Sequence, residues 1–181
     1  MSLRQATIVL LILFFVAGAG VVSWDYLQLG RRIPELVRPE SRADLVRVEK
    51  ATRKLTLLRV STILKTYQVS LGRSPDGQKL QEGDGRTPEG RYLIDSKNGR
   101  SHFHLALHIS YPNTDDRTSA QQRSVSPGGD IMVHGLPNGL GWLDKLHLNR
   151  DWTDGCIAVT DSEMDEIWTY VATGTAIEIR P

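Results

Sequence analysis

Arg150-Asp-Trp-Thr-Asp-Gly-Cys-Ile-Ala-Val-Thr160 holds the only cysteine of a 181-residue chain, and Ile131-Met-Val-His-Gly135 lies upstream of it. A single thiol forms no internal disulfide, and a single ligand is too few for a structural zinc site. Two readings remain, an inert buried thiol and a nucleophile. The neighbours favour the nucleophile. His134 ends the apolar run Ile131-Met132-Val133, which reads as a buried strand with the imidazole at its end. An imidazole within hydrogen-bond reach takes the thiol proton and later returns it to a leaving amine. Gly135 brings no side-chain acid, so a backbone carbonyl is left to orient the ring. Gly155 lets the backbone come close to a substrate carbonyl, and the N–H groups of Gly155 and Cys156 are candidates for an oxyanion hole.

Outward from this pair, the chain is a series of short apolar and β-branched runs between polar turns. They are 45–49, 55–59, 63–71, 91–94, 103–109, 131–134 and 176–179. Frequent Gly and Pro between them argue for a mainly β sandwich or barrel. One helix is marked by a capping box at Thr160 and Glu163. Met164, Ile167, Trp168 and Val171 follow at helical spacing, with Gly174 as the stop. Thr87-Pro88-Glu89-Gly90 reads as a turn, with a substrate role for Glu89 or Arg91 as the lesser alternative. If 102–109 is a strand, His102, His104 and His108 share one face, and a polar face lining a groove suits them better than a metal site. Trp142 and Trp152 flank the loop between His134 and Cys156, as a lid or groove wall or as simple anchors.

The segment from His134-Gly135 through a Gly- and Asn-containing loop to Thr153-x-Gly155-Cys156-Ile157 resembles the signature of the L,D-transpeptidase catalytic domain family (the YkuD-like domain). Lys65-Thr-Tyr-Gln-Val-Ser-Leu-Gly72 is similar to the family's strand before the substrate groove. Gly83-Asp-Gly-Arg-Thr-Pro-Glu-Gly-Arg-Tyr92 is similar to its Gly-Asp-x-x-Thr-Pro-x-Gly segment. The resemblance covers residues 45–181 and implies the family's β fold with one or two short helices. It implies Cys156 as nucleophile, His134 as general base and acid, and Gly155 in the oxyanion hole. Thr153, Asp154, Trp142, Gly135 and His104 would lie along the substrate groove. The implied substrates are peptidoglycan stem peptides, acylated onto the cysteine as a thioester, with no metal or organic cofactor. Two positions depart from the family pattern: Asp154 stands where many members carry His, and Ala158 where many carry Arg or Asn. A carboxylate at Asp154 would raise the thiol pKa or contact a substrate amine. Ala158 lacks a polar group for a substrate carboxylate. A hydrolase on the same scaffold and a non-catalytic wall-binding module are the alternatives.

Composition supports one domain with an appendage. Net charge is +1, so no basic excess points to nucleic acid, and 40% hydrophobic against 24% charged residues suits an ordinary core. Residues 1–24 contain an uncharged apolar stretch, Ala6 to Trp24, about 28 Å long as a helix, close to a bilayer's hydrocarbon core. It reads as a membrane anchor, with a cleavable signal peptide ending near Ala19 as the competitor. Residues 25–44 read as a basic linker and 45–181 as the catalytic domain. Arg31, Arg32, Arg38 and Arg42 would by charge alone hold the domain in the cytoplasm. The family resemblance implies the periplasm or cell wall. Oligomeric state is open.

Overall fold

The computed structural model describes residues 33–181. The expected anchor at 1–24 and the first part of the linker lie outside these residues. Among the described residues no helix is long and apolar enough to cross a membrane. From Val37 onward the basic stretch is docked: Val37 N–H donates to Thr169 O and Ala43 N–H to Tyr170 O.

Eight strands form one sheet: β1 (Leu45–Glu49), β2 (Lys54–Arg59), β3 (Thr62–Gln68), β4 (Gly90–Asn98), β5 (Ala106–Ile109), β6 (Met132–His134), β7 (Ile157–Ala158) and β8 (Ala176–Arg180). Their order across the sheet is β3-β2-β1-β8-β4-β5-β6-β7. The β1–β8 and β6–β7 pairs are parallel, and the others antiparallel. Beyond β3, bridges from Ser70 to Ala158 and from Gly72 to Thr153 bring the chain back to the β7 edge, so the sheet curls on itself. The mainly β reading therefore holds.

Alternation dictates the inner face. Val46 and Val48 of β1, Leu55 and Leu57 of β2, and Ile177 and Ile179 of β8 are buried in alternation with more exposed neighbours, Leu58 at the β2 bulge excepted. Helix α2 (Asp161–Tyr170) covers this face with Met164, Ile167 and Trp168. Each such burial stabilises the fold by about 1.5–3 kcal/mol, as an upper figure. Thr160 and Glu163 form the expected reciprocal cap. The helix ends at Tyr170, earlier than Gly174, because Val171 turns to extended backbone and enters the core. Gly174 instead takes a φ of +90° in the turn into β8.

Helix α1 (Thr114–Gln122) has no apolar stripe to mark it. It is stabilised by an Asn113–Asp116 capping box, and Asp116 also accepts from Tyr92 Oη at 3.0 Å. The expected strand over 102–109 begins only at Ala106. His104 takes a φ of +62°, its N–H donates to Asn138 Oδ1, and its Nε2 lies 2.7 Å from Asp165 on α2. The three histidines consequently share no strand face.

Candidate active site

The parallel pair β6–β7 brings the two candidate residues together. His134 is in register with Ala158, and Val133 with Ile157. Cys156 immediately precedes β7, two positions before Ala158, the register partner of His134. Both side chains line a cleft of about 370 Å³ with Phe103, Trp152, Thr153 and Asp154. His134 is buried at 4% exposure, whereas Cys156 is half-buried at the cleft floor.

The imidazole is held in one orientation. Its Nδ1 lies 2.7 Å from Gly135 O. A carbonyl only accepts, so Nδ1 carries the proton, and in the neutral ring Nε2 keeps its lone pair. Phe103 and Trp152 pack on the ring at centroid distances of 4.6 and 5.9 Å. Gly135 must be glycine: a Cβ there would lie 2.7 Å from Asp161 Oδ1 and 2.8 Å from His104 Cβ. Gly135 thus contributes its carbonyl to the histidine.

The turn before Cys156 is built as tightly. Thr153 Oγ1 donates to Cys156 O at 2.7 Å and accepts from Gly155 N–H at 3.2 Å. Gly155 has a φ of +129°, and a Cβ there would lie 2.6 Å from Arg86 O. Its N–H is engaged inside the turn, which leaves the Cys156 N–H as the stronger of the two oxyanion-hole candidates. The Gly83–Glu89 segment backs this turn. Thr87 Oγ1 accepts from Gly72 N–H at 3.0 Å, and Asp84 accepts from Leu80, Gln81 and Arg86 N–H. Glu89 pairs with Lys50 and Arg91 with Glu178, so both charges are engaged in the scaffold.

Electrostatics favours a neutral resting pair. Burial pushes the Cys156 thiol up, and the Asp154 and Asp130 carboxylates add to this, while the Met132 backbone N–H opposes it. Burial likewise pushes His134 down, against the Gly135 carbonyl, with His147 adding slightly. Both shifts favour the uncharged forms, thiol and neutral imidazole. The thiol meets Asp130 O at 3.5 Å.

Other expected groove residues are placed differently. His104 packs on α2 and lies outside the cleft lining. Trp142 is exposed at 73% on the 3-10 segment Gly141–Asn149, also outside that lining. Trp152 lines the cleft and a second, apolar cavity of about 480 Å³ with Leu136, Leu140 and His147. Asp154 lines the cleft mouth and pairs with Arg73. Sequence reasoning missed Asp130, whose carbonyl meets the thiol, because nothing in Gly128-Gly129-Asp130 marks a contact to a residue 26 positions away. It also missed Phe103, taken as a core residue of a strand that does not extend so far. Among the described residues no group of three or more His, Cys, Asp or Glu is placed to hold a metal ion.

A curled β sheet with a Cys–His cleft at its parallel edge defines the class of domain, and comparison with known proteins gives it a family. The model of the L,D-transpeptidase catalytic domain (YkuD) matches residues 43–179, and the chain belongs to that family. A protein of Escherichia coli K12 named "Putative L,D-transpeptidase YafK" is 27% identical over 121 residues, 66% of this chain and 41% of that protein. The chain therefore spans about two-fifths of the length of the curated relative it matches. Among solved structures, the helical cell shape determining protein Pgp2 from Campylobacter jejuni superposes with a TM-score of 0.58 at 22% identity, covering 86% of this chain and 54% of that one. An L,D-transpeptidase from Mycobacterium smegmatis gives 0.52 at 14%, covering 76% and 58%. At these identities the structural likeness speaks for the fold.

Proposed function

We propose that the domain is a cysteine acyltransferase acting on peptidoglycan stem peptides, an L,D-transpeptidase working through a thioester. The observation that carries the reading is the placement of Cys156 and His134 in the lining of one cleft, with the histidine tautomer fixed by Gly135 O. Cys156 Sγ attacks the peptide carbonyl carbon as its proton passes to His134 Nε2. The oxyanion is met by the Cys156 N–H. The C–N bond then breaks, the leaving amine takes the proton from His134, and the thioester remains. An acceptor amine attacks the thioester and gives a proton to His134, and as the C–S bond breaks His134 returns that proton to Cys156 Sγ. In this scheme proton transfer accompanies attack, in keeping with burial that favours the uncharged thiol and imidazole.

Hydrolysis is the second reading, and one observation favours it: Asp154, the groove carboxylate suited to an incoming ammonium, is paired with Arg73. The test is to give the purified protein a tetrapeptide donor with and without an amine acceptor and to identify products by mass. Cross-linked product supports transfer; free acid alone, at a rate indifferent to amine, supports hydrolysis. The apolar segment Ala6 to Trp24 is further proposed as a tether that leaves the domain outside the cytoplasmic membrane. A C-terminal reporter active only in the cytoplasm would overturn that placement.

A further inference from the structure

The cleft is acidic where its substrate would be acidic. Asp130 and Asp154 line it, and no lysine or arginine does. A peptide ending in a free carboxylate would meet repulsion at this mouth unless a cation is supplied from the rim. Arg73 is such a cation. Arg73 N–H donates to Thr153 O at 3.0 Å, and Gly72 bridges Thr153, so the chain at Arg73 runs along the turn that presents Cys156. Its guanidinium pairs with Asp154, one of the residues of the cleft mouth.

The state of that pair separates it from the neighbouring cations. Lys50 and Lys79 are held in ion pairs with their side chains 3% exposed, and each also donates to backbone carbonyls. They cannot leave without stranding a buried charge. Arg73 and Asp154 are 64% and 79% exposed, and an exposed pair of this kind holds weakly. A ligand carboxylate that also gains contacts in the cleft can displace Asp154, since a guanidinium binds carboxylates through two parallel N–H donors.

We propose that Arg73 recognises the terminal carboxylate of the donor peptide, with Asp154 as the intramolecular occupant that the substrate displaces. This rests on the stem-peptide reading above and adds a specificity-determining residue to it. No bond is made or broken by Arg73; it places the scissile carbonyl over Cys156 by holding the residue that leaves.

The test uses the whole protein and two donors, a tetrapeptide with a free C-terminal carboxylate and the same peptide as its carboxamide. Wild type is expected to favour the acid. Arg73→Gln should lower kcat/KM for the acid by about 10- to 100-fold, chiefly through KM, and leave the carboxamide within a few-fold. Arg73→Lys should restore part of the loss. Asp154→Asn, by removing the competitor, should lower KM for the acid. Both sites are exposed, so unchanged melting temperatures check that the fold is intact. If wild type forms a thioester on Cys156 but Arg73→Gln keeps the full preference for the acid, Arg73 is not the reader and the stem-peptide reading stands. If neither donor yields a thioester by mass, the substrate reading fails, and the proposal fails with it.

Discussion

The turn that carries Cys156 is flanked by two regions of opposite character. On one side, Gly83–Glu89 is a cradle of side-chain bonds: Asp84 accepts from three N–H groups and pairs with Lys79, while Thr87, fully buried, accepts from Gly72 N–H. On the other side, Leu136–Trp152 winds through 3-10 turns broken at Asp144 and exposes Leu140, Trp142 and Leu146. Both segments contain turn residues, Gly and Pro among them, but only the second also carries Leu and Trp. The difference teaches that the cradle holds the Cys156 turn in place through side-chain-to-backbone bonds, whereas the loop presents large apolar side chains to solvent.

The largest effect expected is on activity. Cys156→Ala should abolish turnover while the domain keeps its melting temperature to within a few degrees, since one half-buried sulfur is lost. Equal turnover by mutant and wild type would end the cysteine mechanism. His134→Ala should lower the acylation rate by about 10²- to 10⁴-fold. Mass detection of the thioester over time measures it, and a rate within a few-fold of wild type would assign the base elsewhere.

The cradle itself is tested by Thr87→Val. Gly72 N–H loses its acceptor in a buried place, which should cost about 1–3 kcal/mol in denaturant unfolding. An exposed change on the opposite loop, Trp142→Ser, should stay within about 0.5 kcal/mol. A Trp142→Ser loss as large as that of Thr87→Val would erase the contrast between the two regions.

The pH dependence sharpens the same contrast. The raised thiol must lose its proton during acylation, so alkylation of Cys156 by iodoacetamide should be slow at neutral pH and climb above the ordinary thiol range. A plateau reached by pH 7 would reveal a preformed ion pair. His134 and His147 are both pushed down by burial, which favours their neutral forms in the fold. The unfolded chain binds more protons, so stability should be complete above about pH 6.5 and fall as pH drops through it, until the lowered folded pKa values are passed. Melting temperatures from pH 7.5 down to 5 measure this, with a shallower decline expected in His147→Gln.

Several features were legible because they are local. Alternation in Val46-Arg47-Val48 and Ile177-Glu178-Ile179 marks strands, and the Thr160–Glu163 box marks the start of α2. Boundaries were legible only where the local signal was uncontested. The 103–109 run looks like one strand, yet Asn138 and Asp165, distant in sequence, draw His104 out of the ladder. Helix α1 escaped notice because a helix lying mostly on the surface carries no apolar stripe to read.

For the site, the lone Cys156 and the strand-end His134 stand out in the sequence as residue types, and the spacing of Gly, Thr and Pro around them marks the family. Their meeting was decided by the parallel pairing of β6 with β7, a contact across more than twenty residues that no local propensity encodes. The fold alone also decided which neighbours share the cleft. Phe103 arrives there because β5 starts late, Asp130 offers its carbonyl to the thiol, and Arg73 reaches Asp154 through the Gly72–Thr153 bridge. Residue chemistry is written along the chain, whereas proximity and protonation depend on burial and on partners that only folding brings within reach.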